Sequence, residues 1–334
     1  MKTNSAVSGE LPRNRETAHD RFAEDVLSGL SLPQKSLPCK YIYDDFGTEL
    51  FSRIMTLPEY YPARCETEIL ESHGASIAEK AGPGPLNLVE LGAGDGSKTR
   101  ILVKSLIDAG TSFTYVPIDI SRAAVSRCEE HMCRDLPDLK ISGMVSDYFE
   151  GLKWLSGQNH AGNAALFLGS TIGNFPPNAR RNFLDKLRRS LNPGDMVLIG
   201  VDLVKDTDVM VRAYNDTRGV TEQFNKNILA RINRELGGTF DLDGFRYFSD
   251  WDAASGGIQS FLVSRRMQSV GIEALSKTFV FKPGESIHTE SSYKFTLAQI
   301  KKMAAHSGFS VSGCYMDSKS WFADFLFTAN PVCF

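Results

Sequence analysis

Gly92, Gly94 and Gly96 occupy alternate positions in the stretch LVELGAGDGSKT, residues 88–99. Glycine permits positive φ angles and lets backbone amides come close to a ligand, so this turn predicts a nucleotide-like binding site. The spacing differs from the G-x-G-x-x-G pattern of dinucleotide sites, and Asp95 would repel a pyrophosphate. The turn therefore favours a cationic ligand without phosphates, a description that fits S-adenosylmethionine.

Acidic side chains also end the next two strands predicted after this turn. Asp119 closes YVPIDI, where a carboxylate can accept hydrogen bonds from both hydroxyls of a ribose. Asp147 ends a third strand beside Tyr148, and an acid next to an aromatic ring suits an adenine. Capping of the following helix explains either acid alone. With Glu90 before the glycines, however, three acids end successive strands, and together they predict a methyltransferase core.

A second polar cluster follows another buried strand, in LGSTIGNF. Open α/β sheets bind their ligands at the carboxyl edge, and Ser170, Thr171 and Asn174 place short donors and acceptors there. A helix-capping turn explains Ser170 and Thr171 equally well, but it does not account for Asn174.

Glu290 and Ser292 alternate in HTESSYKF, so they share one face if this segment is a strand. A carboxylate and a hydroxyl together can satisfy both ring nitrogens of an imidazole. An exposed Glu–Ser pair with no function is the alternative, and the residues alone favour it.

The elements that position these residues follow an alternating pattern between Leu86 and Asp202. Strands buried on both faces have continuous apolar sequences, and their alternation with helices predicts a doubly wound, mostly parallel sheet in an α/β protein. The helices are expected to begin near Lys98, Ser121 and Pro177. The strand-like runs are LNLVEL, FTYVPIDI, LKISGMVSD, AALFLGS and DMVLIGVDL.

At 334 residues the chain is long enough for two lobes. We expect a helical and then loop-like segment at 205–250, two strand-rich stretches after it, a helix at 296–307 and a last strand in WFADFLFTA. The predicted division is a disordered tail (1–18), an N-terminal segment of the substrate lobe (19–80), a cofactor-binding core (81–204 and 293–334) and an inserted substrate lobe (205–292).

Composition excludes several classes of function. A net charge of −3 with no basic stripe argues against nucleic-acid binding. The six cysteines are scattered, which predicts neither a disulfide framework nor a metal site. The start of the chain is polar and no apolar run is long enough to span a bilayer. We therefore expect a cytoplasmic, monomeric protein with a small-molecule partner and no membrane contact.

Several long stretches carry a more specific indication. From about residue 36 onward the sequence resembles the L-histidine Nα-methyltransferases of ergothioneine biosynthesis. The resemblance implies a Rossmann-like class I methyltransferase core, a second substrate-binding lobe and trimethylation of histidine to hercynine, with S-adenosylmethionine as donor and S-adenosylhomocysteine as product. The stretches are KSLPCKYIYDDFGTELFSRIMTLPEYYPARCE, FLGSTIGNF, GVDLVKDTDVMVRAYND, GVTEQFNKNIL, FDLDGF and IHTESSYKF.

The resemblance also implies roles for individual residues. Lys98 would pair with the cofactor carboxylate, Asn174 and Tyr214 would hold the amino and carboxylate groups of the substrate, and Glu290 with Ser292 would hold its imidazole. With Glu90 and Gly94 from the glycine turn, the cofactor set is Tyr43, Glu90, Gly92, Gly94, Lys98, Asp119, Asp147 and Tyr148. The amino-acid set is Phe51, Tyr60, Gly169, Thr171, Asn174, Tyr214, Ser260, Glu290 and Ser292, and the catalytic set is Tyr43, Asn174 and Tyr214.

One departure from the family concerns Ser260, in IQSFL, where the family commonly has methionine. A smaller polar residue would enlarge the side-chain pocket, so another aromatic amino acid such as tryptophan or an alkylated tryptophan is the alternative substrate. Tyr148 replaces a residue that is often phenylalanine, and adenine stacking should tolerate that change. Two other functions are alternatives. A nicotinamide oxidoreductase would bind a pyrophosphate, which Asp95 would repel. A non-catalytic binding protein would be expected to have lost parts of these motifs, and they are intact.

Methyl transfer from a sulfonium to an amine is an in-line displacement without a covalent intermediate, so alignment supplies most of the rate and no metal is needed. Each methylation leaves a larger cation, and aromatic faces attract such a cation by about 0.5–2 kcal/mol each. We expect Tyr43, Phe51 and Tyr60 to supply these faces.

Overall fold

The computed structural model describes residues 15–157 and 162–331. The strands in these ranges are β1 (Lys35–Ser36), β2 (Leu86–Leu91), β3 (Phe113–Asp119), β4 (Met144–Val145), β5 (Gly162–Phe167), β6 (Met196–Asp202), β7 (Phe245–Asp252), β8 (Gly257–Ser264), β9 (Gln268–Ile272), β10 (Lys277–Phe281), β11 (Ser286–Tyr293), β12 (Phe309–Met316) and β13 (Phe322–Ala329). The helices are α1 (Arg15–Leu30), α2 (Asp45–Met55), α3 (Tyr61–Ala81), α4 (Thr99–Asp108), α5 (Arg122–Asp135), α6 (Tyr148–Ser156), α7 (Pro177–Arg189), α8 (Thr207–Arg212), α9 (Val220–Leu236) and α10 (Leu297–His306).

The described chain divides into two compact units. The sheet unit comprises residues 62–204 and 294–331, and the second unit comprises residues 15–61 and 205–293. From residue 62 on, α3 therefore belongs to the sheet unit, whereas the sequence-based division placed residues up to 80 in the substrate lobe. The reason is packing, because Ile77 lines one small apolar pocket with Leu88 and Leu166 of the sheet.

The sheet unit contains seven strands in the order β12-β13-β6-β5-β2-β3-β4. The pairs from β6 to β4 are parallel, whereas β13 is antiparallel to both β6 and β12. The predicted doubly wound, mostly parallel sheet is thus confirmed. The chain runs outward from β2 through β3 in one direction and from β5 through β6 in the other. The carboxyl ends of β2 and β5 consequently flank the switch point at which such sheets bind ligands.

Apolar side chains fill the space on both faces of this sheet. Tyr115 of β3 and Phe167 of β5 are fully buried, and the Phe167 ring lies 4.6 Å from the ring of Phe183 on α7. Full burial of one such ring stabilises a fold by about 2–3 kcal/mol. The predicted start of α7 at Pro177 is confirmed, and proline suits a first helical position because no hydrogen bond is required of its nitrogen there.

The chain leaves and re-enters the sheet unit at neighbouring points. Asp202 ends β6 and Lys294 follows β11, and their side chains form a fully buried ion pair at 2.8 Å. The backbone amide of Phe295 donates to the Asp202 carbonyl, and that of Val204 donates to the Phe295 carbonyl. These contacts fix both ends of the long segment between residues 204 and 294.

The second unit contains a four-stranded sheet, β1-β11-β8-β7, and a separate β9–β10 hairpin. Its helix α9 buries Phe224, Ile228 and Ile232 on one stripe, which is the periodicity of an amphipathic helix. The register of β11 against β8 shifts between His288 and Glu290, a β-bulge that re-aims the side chains that follow it.

Some predictions at the level of elements were wrong. Residues 15–18 are helical because α1 begins at Arg15, whereas the predicted disorder of 1–14 lies outside the described residues. Strand β7 replaces a predicted loop, and β12 was not predicted. The β7 sequence FRYFSDWD carries acids that are rare in strands, but Phe245 and Ser249 point inward on one face.

Candidate functional site

The glycine turn after β2 has the conformation that its sequence predicts. Gly92, Gly94 and Gly96 have φ angles of 79°, 57° and 72°, in the left-handed region that favours glycine. A Cβ on Gly92 would lie 2.8 Å from the Tyr148 hydroxyl, and one on Gly96 would lie 2.6 Å from the Cys128 sulfur. A Cβ on Gly94 would meet nothing within 4 Å, so this glycine borders open space at the sheet edge.

Asp119 lies beside this turn at the end of β3. Its Oδ2 accepts from the Gly94 amide at 3.3 Å and its Oδ1 accepts from the Ser121 amide at 2.9 Å. The residue that caps α5 is Ser121, which accepts from the Ala124 amide at 3.1 Å, so capping does not explain Asp119. Burial raises the pKa of Asp119. Each carboxylate oxygen has more than one acceptor position, which suits a ligand carrying two hydroxyls.

Asp147, in contrast, caps a helix. Its Oδ1 accepts from the amides of Phe149 and Glu150 at 2.9 and 3.0 Å, which satisfies two donors in the first turn of α6. The neighbouring Tyr148 ring packs edge-on against Phe167, with the centroids 5.5 Å apart, and its hydroxyl lies over the glycine turn. The adenine contact predicted for this pair remains a prediction.

Glu90 is braced inside the sheet unit. One carboxylate oxygen accepts from the Thr99 hydroxyl at 2.5 Å and the other from the Tyr115 hydroxyl, and the residue is only 4% exposed. Burial is the largest cause that raises the pKa of Glu90, to about 7. These bonds hold the start of α4 against β3, and a direct cofactor contact of Glu90 remains a prediction.

The Lys98 ammonium forms an ion pair with Glu66 of α3, a residue that sequence analysis did not single out. Glu66 also accepts from the Gly169 amide at 2.7 Å, in the turn after β5. A Cβ on Gly169 would lie 3.7 Å from the Lys98 nitrogen. Residues from the ends of β2 and β5 therefore meet at the switch point.

The turn after β5 holds three predicted substrate residues. Gly169 has a φ of 72°, and Ser170 adopts a left-handed φ of 57°, which is unusual for a residue other than glycine. The Ser170 hydroxyl accepts from the Asp202 amide at 3.0 Å, and the Thr171 hydroxyl donates to a backbone carbonyl in the same turn. Asn174 ends the 3₁₀ turn and is half-buried. The substrate contacts of Gly169, Thr171 and Asn174 remain predictions.

The second unit brings three other predicted residues together. Glu290 and Ser292 are 7% and 4% exposed, with the more exposed Ser291 between them, so they share the inner face of β11. The Ser292 hydroxyl is bonded to the hydroxyl of the buried Tyr214 at 2.7 Å. This burial excludes the explanation of an exposed Glu–Ser pair. Buried polar groups of this kind require partners, from the protein or from a ligand.

Ser260 lies directly opposite Glu290 in the β8–β11 register. It is 1% exposed, and its hydroxyl is bonded to the Tyr247 hydroxyl at 3.0 Å. The structure therefore has no open space at Ser260 of the kind that an enlarged pocket would require, because Tyr247 of the neighbouring strand contacts Ser260. Sequence analysis missed Tyr247, since β7 was not recognised as a strand.

Aromatic rings of the second unit form a connected series. Tyr43 packs edge-on against Phe51 at 5.5 Å, Phe51 lies 6.2 Å from Tyr60, and Tyr60 lies 6.2 Å from Tyr214. Phe224 joins the series at 5.1 Å from Tyr43 and 5.8 Å from Phe51. Such edge-to-face packing is favourable and holds each ring in place. Tyr43, Phe51 and Tyr60, the three rings expected to face the substrate cation, are thus contiguous with one another and with Tyr214.

Across residues 15–157 and 162–331, no group of three or more His, Cys, Asp and Glu side chains is arranged to hold a metal ion. The same residues include no helix that is both long enough and apolar enough to cross a bilayer.

The seven-stranded sheet with an antiparallel β13, together with the glycine turn and Asp119, defines a class I S-adenosylmethionine-dependent methyltransferase. The family model described as "Histidine-specific methyltransferase, SAM-dependent" matches residues 22–329, and the chain belongs to that family. The predicted cofactor is thereby confirmed, and the nicotinamide oxidoreductase is set aside.

The chain is also similar to several named proteins. The chain is 40% identical to the histidine N-alpha-methyltransferase of Mycolicibacterium smegmatis over 294 residues, which cover 88% of this chain and 90% of the relative. It is 30% identical to ergothioneine biosynthesis protein 1 of Neurospora crassa, over 82% of this chain and 31% of that longer protein. It is 26% identical to the 4-dimethylallyltryptophan N-methyltransferase of Claviceps fusiformis, over 83% of each chain.

Proposed function

We propose that this protein methylates the α-amino group of free L-histidine three times to give hercynine, the first step of ergothioneine biosynthesis. The observation that carries the proposal is the buried Glu290–Ser292 pair with Tyr214 bonded to it, since a carboxylate and a hydroxyl together can pair both ring nitrogens of an imidazole. The identity to the mycobacterial histidine N-alpha-methyltransferase and to the Neurospora ergothioneine biosynthesis protein supports it.

The carboxyl edge of the sheet unit fits the cofactor, which supplies a methyl group activated by a sulfonium. Asp119 would accept from the ribose hydroxyls next to the Gly94 amide, where the chain leaves open space. Lys98 would meet the carboxylate of the cofactor's methionine portion, and Tyr148 would pack against the adenine. One oxygen of Asp147 already caps a helix, so Asp147 should contribute least to cofactor binding among these residues.

Specificity for histidine would come from the face of β11. The Glu290 carboxylate accepts a hydrogen bond from one ring nitrogen, while the Ser292 hydroxyl serves the other. A buried site built to pair both nitrogens rejects a ring that leaves its polar groups unpaired. The Ser260 hydroxyl is already paired with Tyr247, which supports a pocket of ordinary size at this position.

The rate enhancement would come mainly from alignment of the substrate amine with the methyl group of the cofactor. Asn174 and Tyr214 are the residues proposed to hold the amine and carboxylate of the substrate, so that the amine lone pair is directed at the methyl group. Tyr43 completes the proposed catalytic set. The fixed rings of Tyr43, Phe51 and Tyr60 offer aromatic faces to the growing ammonium, worth about 0.5–2 kcal/mol each.

Mass spectrometry of the reaction products tests this function. Incubation with S-adenosylmethionine and histidine should yield products heavier by one, two and three methyl groups, with the trimethylated form accumulating. An equimolar mixture of histidine, tryptophan and 4-dimethylallyltryptophan should give the histidine product first. If only tryptophan or 4-dimethylallyltryptophan were methylated, histidine would be rejected as the substrate. The alternative substrate class would then be favoured, and the name of the Claviceps relative refers to that class.

We also propose that the protein acts as a monomer in the cytoplasm, without a nucleic-acid or membrane partner. The net charge of −3 gives no electrostatic basis for binding nucleic acid, and the cysteines in the described residues are free thiols, as is usual in a reducing compartment. Light scattering after size exclusion should give the mass of one 36.9 kDa chain.

A further inference from the structure

Glu66 is a buried carboxylate of α3 that joins two turns at the carboxyl edge of the sheet unit. Its side chain is completely buried. One oxygen pairs with the ammonium of Lys98, in the turn after β2, and the other accepts from the Gly169 amide, in the turn after β5, at 2.7 Å. The two turns are far apart in the sequence, and this carboxylate is bonded to both.

The sheet makes room for this carboxylate. A Cβ on Gly200 of β6 would lie 2.2 Å from Glu66 Oε1, so no larger residue fits at Gly200 without displacing Glu66. A buried charge is costly unless it is paired and hydrogen-bonded, and Glu66 meets both conditions through Lys98 and Gly169. The arrangement is therefore built around the charge of Glu66.

A second buried acid lies next to this pair. Asp324 of β13 is fully buried, and neither of its oxygens has a hydrogen-bond partner among the described residues. A Cβ on Gly200 would lie 3.2 Å from Asp324 Oδ1, which places the Asp324 and Glu66 carboxyls beside the same glycine. Burial and the charge of Glu66 raise the pKa of Asp324 well above its usual range, whereas the Glu66 carboxylate faces the Lys98 ammonium directly.

We propose that Glu66 is a positioning residue for the methyl donor, acting through Lys98 and Gly169. It holds the Lys98 ammonium at the switch point, where that ammonium meets the carboxylate of the cofactor's methionine portion. The inference rests on the role given to Lys98 in the proposed function. An ammonium has three donor hydrogens, so the bond to Glu66 leaves capacity for a ligand carboxylate.

This role makes a prediction that a purely structural role does not. A lysine side chain is a point charge on a flexible stem, so its position depends on the groups that hold it. Without Glu66, the bond from Lys98 to the cofactor's carboxylate should weaken, while the ribose and adenine contacts stay. A cofactor analogue that lacks the methionine carboxylate should therefore be insensitive to Glu66.

The experiment measures binding of two ligands to E66Q by calorimetry, without any amino-acid substrate. S-adenosylhomocysteine carries the carboxylate, whereas 5′-methylthioadenosine lacks the whole amino-acid portion. E66Q should bind S-adenosylhomocysteine about 10- to 100-fold more weakly and methylthioadenosine within about 3-fold of wild type. The KM for S-adenosylmethionine should rise more than kcat falls. E71Q, an exposed acid on the same helix, is the matched control and should change neither ligand.

Equal weakening of both ligands, or unchanged binding of S-adenosylhomocysteine, would overturn the proposal. If E66Q does not fold, E66D keeps the charge on a shorter side chain and should show the same selective loss on a smaller scale. K98M combined with E66D should lose no more affinity for S-adenosylhomocysteine than K98M alone, because Glu66 acts on the cofactor's carboxylate through Lys98. Because no amino acid is present, this outcome is independent of whether histidine is the substrate.

Discussion

The candidate sites of the two units differ in whether backbone or side-chain groups form them. At the edge of the sheet unit, the candidate site consists largely of backbone: glycines in left-handed conformations, amides directed at Asp119, and an amide held by Glu66. In the second unit, it consists of side chains projecting from separate elements, namely aromatic rings around Phe51 and hydroxyls around Glu290. A cofactor common to many enzymes can be recognised by backbone geometry, whereas a particular amino acid has to be recognised by its own side chain.

The comparison predicts that cofactor and substrate binding can be damaged separately. The largest effect is expected for D119A, which removes both acceptors for the ribose. Two charge-assisted hydrogen bonds are worth about 3–4 kcal/mol, so affinity for S-adenosylhomocysteine should fall about 100- to 1,000-fold in calorimetry. Histidine affinity, measured with cofactor product at saturation, should stay within about 3-fold. D119N keeps one acceptor oxygen, so its affinity for S-adenosylhomocysteine should fall less. Unchanged cofactor affinity in D119A would show that Asp119 does not bind the ribose.

The second prediction concerns Glu90, which is internal to the sheet unit. Its pKa is raised from 4.5 to about 7, so the folded protein binds this proton more tightly than the unfolded chain. The contribution of Glu90 to stability is therefore present below pH 4.5 and is lost as the pH rises to about 7. E90Q does not titrate, so its free energy of unfolding relative to wild type should rise by about 3 kcal/mol between pH 4.5 and pH 8.

Urea unfolding at several pH values checks this change, with the exposed E71Q as the variant that should show no such trend. A relative stability of E90Q that is flat with pH would mean that Glu90 is ionised throughout, and that its bonds to Thr99 and Tyr115 outweigh its burial.

A third prediction addresses the second unit through E290A. Losing one hydrogen bond to a charged group costs about 2 kcal/mol, so histidine should bind about 30-fold more weakly, with tryptophan much less affected. S291A changes the neighbouring residue on the other face of β11 and is the control. Cofactor affinity should remain that of wild type. Unaltered selectivity between the two amino acids would assign Glu290 a structural role.

The smallest effect is expected for Y247F, which removes the partner of the buried Ser260 hydroxyl. The free energy of unfolding should fall by about 1 kcal/mol, with little change in the ratio of histidine to tryptophan turnover. A shift of that ratio toward tryptophan would show instead that the Tyr247–Ser260 pair lines the substrate pocket. The side chains that recognise the substrate in the second unit would then include one from β7.

The sheet unit was largely predictable from sequence because its signals are local. Buried parallel strands are continuous apolar runs, and the glycines lie in one turn. Even there, Asp119 and Asp147 look alike in the sequence, and only the structure separates the acid beside the glycine turn from the acid that caps a helix.

The residues that sequence analysis missed are defined by contacts between distant segments. Nothing in CETEILE distinguishes Glu66 from Glu68 or Glu71, because all three lie on one helix and only the fold determines which of them is buried. Tyr247 was missed for a related reason, since its partner Ser260 lies on the next strand and β7 itself has a weak strand pattern. Most of the second unit was identified by resemblance to a family, and not by periodicity.

The ion pair between Asp202 and Lys294 has an evolutionary consequence. It clamps the two points where the long inserted segment begins and ends, side by side on the sheet unit. A segment that lies between two fixed, adjacent anchors can change its length and composition without changing the strand order of the sheet unit. The inserted segment and residues 15–61, which together form the second unit, can thus change in composition while the sheet unit keeps its strand order.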